Sequence, residues 1–176
     1  MADPHAFHMP KAAYSKADLL ESARGGYFGP GNAQLPAPPM LMMDRITEIS
    51  LGGGEFGKGR VVAELDITPD LWFFGCHFIG DPVMPGCLGV DAMWQIIGYW
   101  LGWSGSLGKG RAVGVGEVKF RGHITPDTRL VRYEVNLRQV RRGRLALGVA
   151  NGQVFADDAC VYVANDLKVG LFTSDG

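Results

Sequence analysis

Cysteine is scarce in this chain, neither sign of charge is in excess, and no internal repeat or low-complexity segment interrupts it. The three cysteines, Cys76, Cys87 and Cys160, form neither a CxxC pair nor an even set. That argues against a disulfide framework and fits free thiols in a reducing, cytoplasmic setting. The 17 Lys and Arg nearly balance 18 Asp and Glu, so net charge gives no reason to expect a nucleic-acid partner. The N-terminal stretch MADPHAFHMPKAAYSK lacks the apolar core of a secretory leader. His77, Cys87 and Asp91 follow no metal-ligand spacing, and Gly108-Lys109-Gly110 lacks the rest of a phosphate loop. Neither a metal nor a cofactor is expected.

What is present is a chain of 176 residues, 47% hydrophobic and 20% charged, enough for one domain with a real core. The expectation is a single domain over 1–176, with 1–13 as a flexible N-terminus. Ser15, with Asp18 three positions on, is a capping signal for a short helix that Gly25-Gly26 would stop. Residues 29–39, GPGNAQLPAPP, read as an irregular connector. Strands are expected over 41–49 and 59–67, with a turn at Gly52-Gly53-Gly54. Pro85-Gly86 starts a long helix that ends near Gly102 or Trp103. Its apolar residues lie all round, so both sides should be covered. It carries Asp91, Gln95 and several glycines and stands alone, which makes it a buried core helix rather than a membrane span. From residue 112 onward the period is two, with strands expected over 112–121, 129–140, 144–155 and 159–170, and with Arg142-Gly143 and Asn151-Gly152 as turn signals. With no βαβ alternation, the class is α+β: a central helix wrapped by a curved antiparallel sheet of five to seven strands.

The chemistry concentrates in residues 72–103, WFFGCHFIGDPVMPGCLGVDAMWQIIGYWLGW. His77 sits in an apolar loop broken by Gly and Pro, and Asp91 is the lone carboxylate of the helix that follows. An isolated His in an apolar loop is commonly structural, but a lone buried carboxylate is costly unless it is paired or used. Together they suit general acid–base catalysis on a hydrophobic substrate, where burial favours the proton-donating form of a carboxyl group. Gly86 lies at the helix start, where free N–H groups and the positive dipole end can stabilise a developing negative oxygen. Helical spacing puts Cys87, Asp91 and Gln95 on one stripe, so Gln95 can hold the Asp91 carboxyl group. Cys76 and Cys87 are expected to be packing residues, and the aromatics Trp94, Tyr99, Trp100 and Trp103 core.

These residues resemble the signature of the bacterial β-hydroxydecanoyl-[acyl-carrier-protein] dehydratase/isomerase family. The likeness runs through LPAPPMLMMDRI (35–46), AELDITPDLWFFGCHF (63–78), GKGRAVGVGEVKFRG (108–122) and NDLKVGLF (165–172). It departs in the N-terminal dozen residues, around 123–145 and in the short C-terminal tail. The resemblance implies a hot-dog fold and a homodimer whose active sites are shared, with His77 from one subunit and Asp91 from the other. It implies that the Gly86 N–H polarises a thioester carbonyl and that the Val83 carbonyl orients the imidazole. It implies dehydration of 3-hydroxyacyl chains of decanoyl length on acyl carrier protein, and isomerisation of the enoyl product. Carrier proteins of this kind are acidic, so Arg138, Arg141, Arg142 and Arg144, clustered around one hairpin turn, are the candidate docking patch. A dehydratase lacking isomerase activity, an acyl thioester hydrolase and a non-catalytic acyl-binding domain remain the alternatives.

Overall fold

The computed structural model describes residues 9–174. Its first element is helix α1 (Lys16–Ala23), begun by a complete capping box: Ser15 Oγ accepts from the Asp18 N–H, and the Asp18 side chain accepts from the Ser15 N–H. Gly25, at φ +80°, takes the left-handed conformation that ends it. Of the segment expected to be flexible, residues 1–8 lie outside the described residues. The part inside lies along the first strand: the Ala12 carbonyl accepts from the Ile49 N–H, and Tyr14 and Ile46 exchange backbone hydrogen bonds.

Seven strands follow: β1 (Arg45–Ser50), β2 (Arg60–Asp66), β3 (Lys109–Gly114), β4 (Glu117–Phe120), β5 (Leu130–Arg141), β6 (Ala146–Ala156) and β7 (Ala159–Phe172). They form one antiparallel sheet in the order β1-β2-β5-β6-β7-β3, with β4 also paired to β7. Between β2 and β3 runs α2 (Gly86–Trp103), 18 residues and therefore about 27 Å long. It lies across β5, β6 and β7. Met93, Ile96, Ile97 and Leu101 on α2 are fully buried, as are Val135, Leu137, Ala150 and Leu167 on the sheet. Register shifts in the β1–β2, β5–β6, β6–β7 and β3–β7 pairings bend the sheet around the helix.

Three expectations change. The strand over 41–49 begins only at Arg45; Leu41–Met43 are buried but irregular. The strand over 112–121 is two strands, parted where the Gly116 N–H turns to the carbonyls of Asn165 and Asp166. Asn151-Gly152 is no turn: it lies within β6, at a register shift against β7. A Cβ on Gly152 would sit 2.4 Å from Met93 Sδ, so this glycine admits a helix side chain into the sheet. The β6–β7 turn falls instead at Asp157, whose carboxylate accepts from the N–H groups of Arg129 and Leu130. Arg142-Gly143 does lie in the β5–β6 turn.

Candidate active site

The loop before α2 is built to hold one imidazole. A short 3-10 turn, Trp72–Gly75, is anchored by buried Phe73 and Phe74 and delivers His77 to the sheet-facing side. The Val83 N–H donates to the His77 carbonyl at 2.7 Å, and Phe78 and Asp81 exchange backbone hydrogen bonds inside that closure. His77 Nδ1 is 2.8 Å from the Val83 carbonyl oxygen. A carbonyl can only accept, so Nδ1 carries the proton and the lone pair of neutral His77 resides on Nε2. Phe78 stacks on the ring at 4.2 Å between centroids. The result is a half-buried imidazole with a fixed tautomer and its basic nitrogen available.

His77 lines a cavity of about 740 Å³ together with Val83, Gly86, Cys87, Phe120 and Tyr162. The first turn of α2 forms one wall. Pro85 stands at its N-cap and no side chain caps it; the Leu88 N–H turns back to the Pro85 carbonyl, which leaves the N–H groups of Gly86 and Cys87 as free donors at the positive end of the helix. A Cβ at Gly86 would lie 2.7 Å from Phe120 Cε1, so only glycine lets this aromatic ring close on the helix start.

Asp91 stands elsewhere. It lines a second cavity, about 520 Å³, with Gln95, Gly98 and the 31–36 segment, and Trp94 is the residue common to both cavities. Gln95 Nε2 donates to Asp91 Oδ2 at 2.6 Å and to the Met40 carbonyl at 2.8 Å, while Gln95 Oε1 accepts from the Met42 N–H at 3.2 Å. The four-residue spacing thus brings Gln95 and Asp91 together, and the 40–42 segment holds Gln95 from behind. Asp91 Oδ1 takes no hydrogen bond from the described residues. Asp91 is half-buried in the single chain, less sequestered than the apolar helix suggests.

The arginines divide. Arg138 pairs with Asp166 at 2.5 Å. Arg142 reaches back to the end of α2, donating to Ser106 Oγ at 2.5 Å and Ser104 Oγ at 3.0 Å and lying over Trp100. Arg141 and Arg144 are exposed and have no acidic partner among the described residues. Cys76 and Cys87, expected to pack, are both exposed, because Cys76 sits on the loop surface and Cys87 faces the cavity. Sequence reasoning gave no role to Phe120 or Tyr162. Their strands were legible, but nothing in a period-two pattern says which residue abuts a helix start.

A long helix laid across a curved antiparallel sheet defines the hot-dog class. A subunit of the dehydratase heterocomplex ApeI:P from Xenorhabdus doucetiae superposes with a TM-score of 0.61 at 18% identity, over 80% of this chain and 90% of that one. The HP0420 homologue from Helicobacter felis does so with a TM-score of 0.51 at 11% identity, over 75% and 79%. At such identities these likenesses establish the fold. Residues 35–165 match the FabA-like domain, and the chain belongs to that family of hot-dog dehydratases. Membership supports a hydroxyacyl dehydratase-type function. Among the described residues no helix is long and apolar enough to cross a membrane.

Proposed function

We propose that the protein dehydrates (3R)-3-hydroxyacyl chains of decanoyl length, carried on acyl carrier protein, to the trans-2-enoyl thioester and isomerises that product to the cis-3 form for unsaturated fatty acid synthesis. The observation that carries this reading is the hydrogen bond from His77 Nδ1 to Val83 at the mouth of an uncapped helix. It leaves Nε2 as a base beside donors suited to a thioester oxygen.

In this mechanism His77 Nε2 takes the α-proton while the Gly86 N–H receives the enolate-like oxygen. Asp91 gives a proton to the departing 3-hydroxyl, and water leaves. Gln95 donates to Asp91 Oδ2, which reserves Oδ1 for the transferable proton. For isomerisation His77 removes a γ-proton from the bound enoyl chain, and a proton returns at the α-carbon. His77 and Asp91 of one chain line different cavities, which supports a pair assembled between two copies in a homodimer. Exposed apolar residues near the His77 cavity and on the outer strands, Phe78 at 56%, Ile79 at 92%, Val113 at 53% and Phe120 at 55%, suit burial against the second copy. Arg141 and Arg144 suit an acidic carrier protein.

The test is product analysis with 3-hydroxydecanoyl thioester. Enoyl absorbance with both trans-2 and cis-3 products is the expected result. Trans-2 product alone removes the isomerase step, and release of free thiol identifies a hydrolase instead.

A further inference from the structure

Tyr162 is one of the most deeply buried tyrosines, 2% exposed, yet it lines the His77 cavity. It lies on β7 directly opposite Phe120 of β4, and the two rings meet edge to face at 4.9 Å. Both press on the first turn of α2. A Cβ on Gly89 would lie 2.5 Å from Tyr162 Cε2, just as one on Gly86 would meet Phe120. Two glycines three residues apart on one helix face thus make a notch that seats this aromatic pair against the helix start.

The Tyr162 hydroxyl is not used by the fold. No group of the described residues hydrogen-bonds to it, whereas its neighbour Cys160 bonds the Tyr162 backbone carbonyl. Tyr133 also has an unbonded hydroxyl, but that one is sealed in the core; the Tyr162 hydroxyl is not among the sealed ones, and its residue borders open space. Burial, with Cys87 nearby as a lesser cause, pushes the phenol up to about 12. It is therefore a neutral donor throughout the physiological range. Phenylalanine would fill the notch equally well without burying a polar atom, so the hydroxyl calls for an acceptor that the protein itself does not supply.

We propose that Tyr162 is a further substrate-binding residue: its hydroxyl donates, alongside the Gly86 N–H, to the carbonyl oxygen of the bound acyl thioester. The inference rests on the function proposed above. In that frame the enolate-like oxygen receives two donors, one from the helix start and one from the sheet, and the second strengthens as negative charge develops.

Tyr162→Phe removes the donor and keeps the ring. With 3-hydroxydecanoyl thioester, kcat should fall about 10–100-fold with little change in KM, and the thermal midpoint should not fall. The carbonyl stretch of bound decanoyl-N-acetylcysteamine, a saturated thioester that cannot dehydrate, should lie below its value in water for the wild type and move back up in Tyr162→Phe. A fluorinated tyrosine at position 162, a stronger donor, should lower it further. Wild-type kinetics, or a stretch indifferent to both replacements, overturns the proposal. Absence of dehydration by the wild type would instead remove the functional reading, while the carbonyl stretch of the inert thioester would still decide the role of Tyr162.

Discussion

His77 and Asp91 line different cavities of the same protomer, and Trp94 lines both. They are fourteen positions apart in sequence, and Asp91 rides on the helix that borders both cavities. Under the function proposed above, a base and an acid that address adjacent carbons are drawn from two copies of the chain.

This relationship makes mixed dimers informative. His77→Ala and Asp91→Asn should each lower dehydration by about 10²–10⁴-fold as pure homodimers. Unfolded and refolded together, the two variants should recover about a quarter of wild-type activity, because half of the dimers are mixed and each holds one intact site. Activity that stays at the level of the pure variants would place both groups in a site made by a single chain.

Among the described residues Gln95 is the one side chain hydrogen-bonded to Asp91, and it also bonds the Met40 carbonyl and Met42 N–H. Gln95→Leu keeps the size but strands all three partners. The expected cost in stability is about 1–3 kcal/mol. Turnover should drop about tenfold or more as the carboxyl group loses its fixed orientation. Chemical denaturation and steady-state kinetics check the two effects separately. Unchanged kcat would mean that Asp91 does not depend on its neighbour.

The parts of the site that lie close in sequence were legible there, and the parts that meet through folding were not. Gln95 and Asp91 share a stripe because four residues make about one helical turn, and the geometry follows from α2 alone. Ser15 and Asp18 form their capping box for the same local reason. The break between β3 and β4 depends on how Gly116 meets β7, and the place of Asn151-Gly152 inside β6 depends on Met93 of the helix above. Those are tertiary choices that override a local turn signal. Arg142 shows the same limit: in sequence it belongs with its neighbours to a candidate docking patch, yet it ties the hairpin to the end of α2.

Asp18 makes a pH prediction of its own. Its carboxyl group is held below the usual carboxylate range, chiefly by the side-chain hydrogen bond from Lys11, with Ser15 and Tyr27 assisting and burial opposing. In the unfolded chain it titrates near an ordinary value of about 3.9. A depressed folded value means that its stabilising effect is full above about pH 4 and is lost as the pH falls toward the folded value. Asp18→Asn should therefore lower the thermal midpoint at neutral pH, and the gap from wild type should narrow as acid is added below about pH 4. A gap that stays constant down to about pH 2 would show that the ionised form contributes nothing to the cap.

Docking and packing divide between the arginines of one hairpin. Arg142 donates to Ser104 and Ser106 just past the C-terminus of α2, so Arg142→Ala removes charge-assisted hydrogen bonds to the segment whose own N–H groups close the helix. Its effect should be a loss of about 1–2 kcal/mol in stability. Arg141 and Arg144, which lack acidic partners among the described residues, should behave oppositely. Reversing their charge should raise KM for the carrier-linked substrate severalfold at low salt, with the difference fading as salt screens the surface. For the same acyl chain on a small thiol, which has no acidic surface to recognise, the reversal should matter little. If Arg142→Ala instead produced the salt-dependent rise in KM and left stability intact, its place at the end of the helix would be incidental and the docking surface would include it.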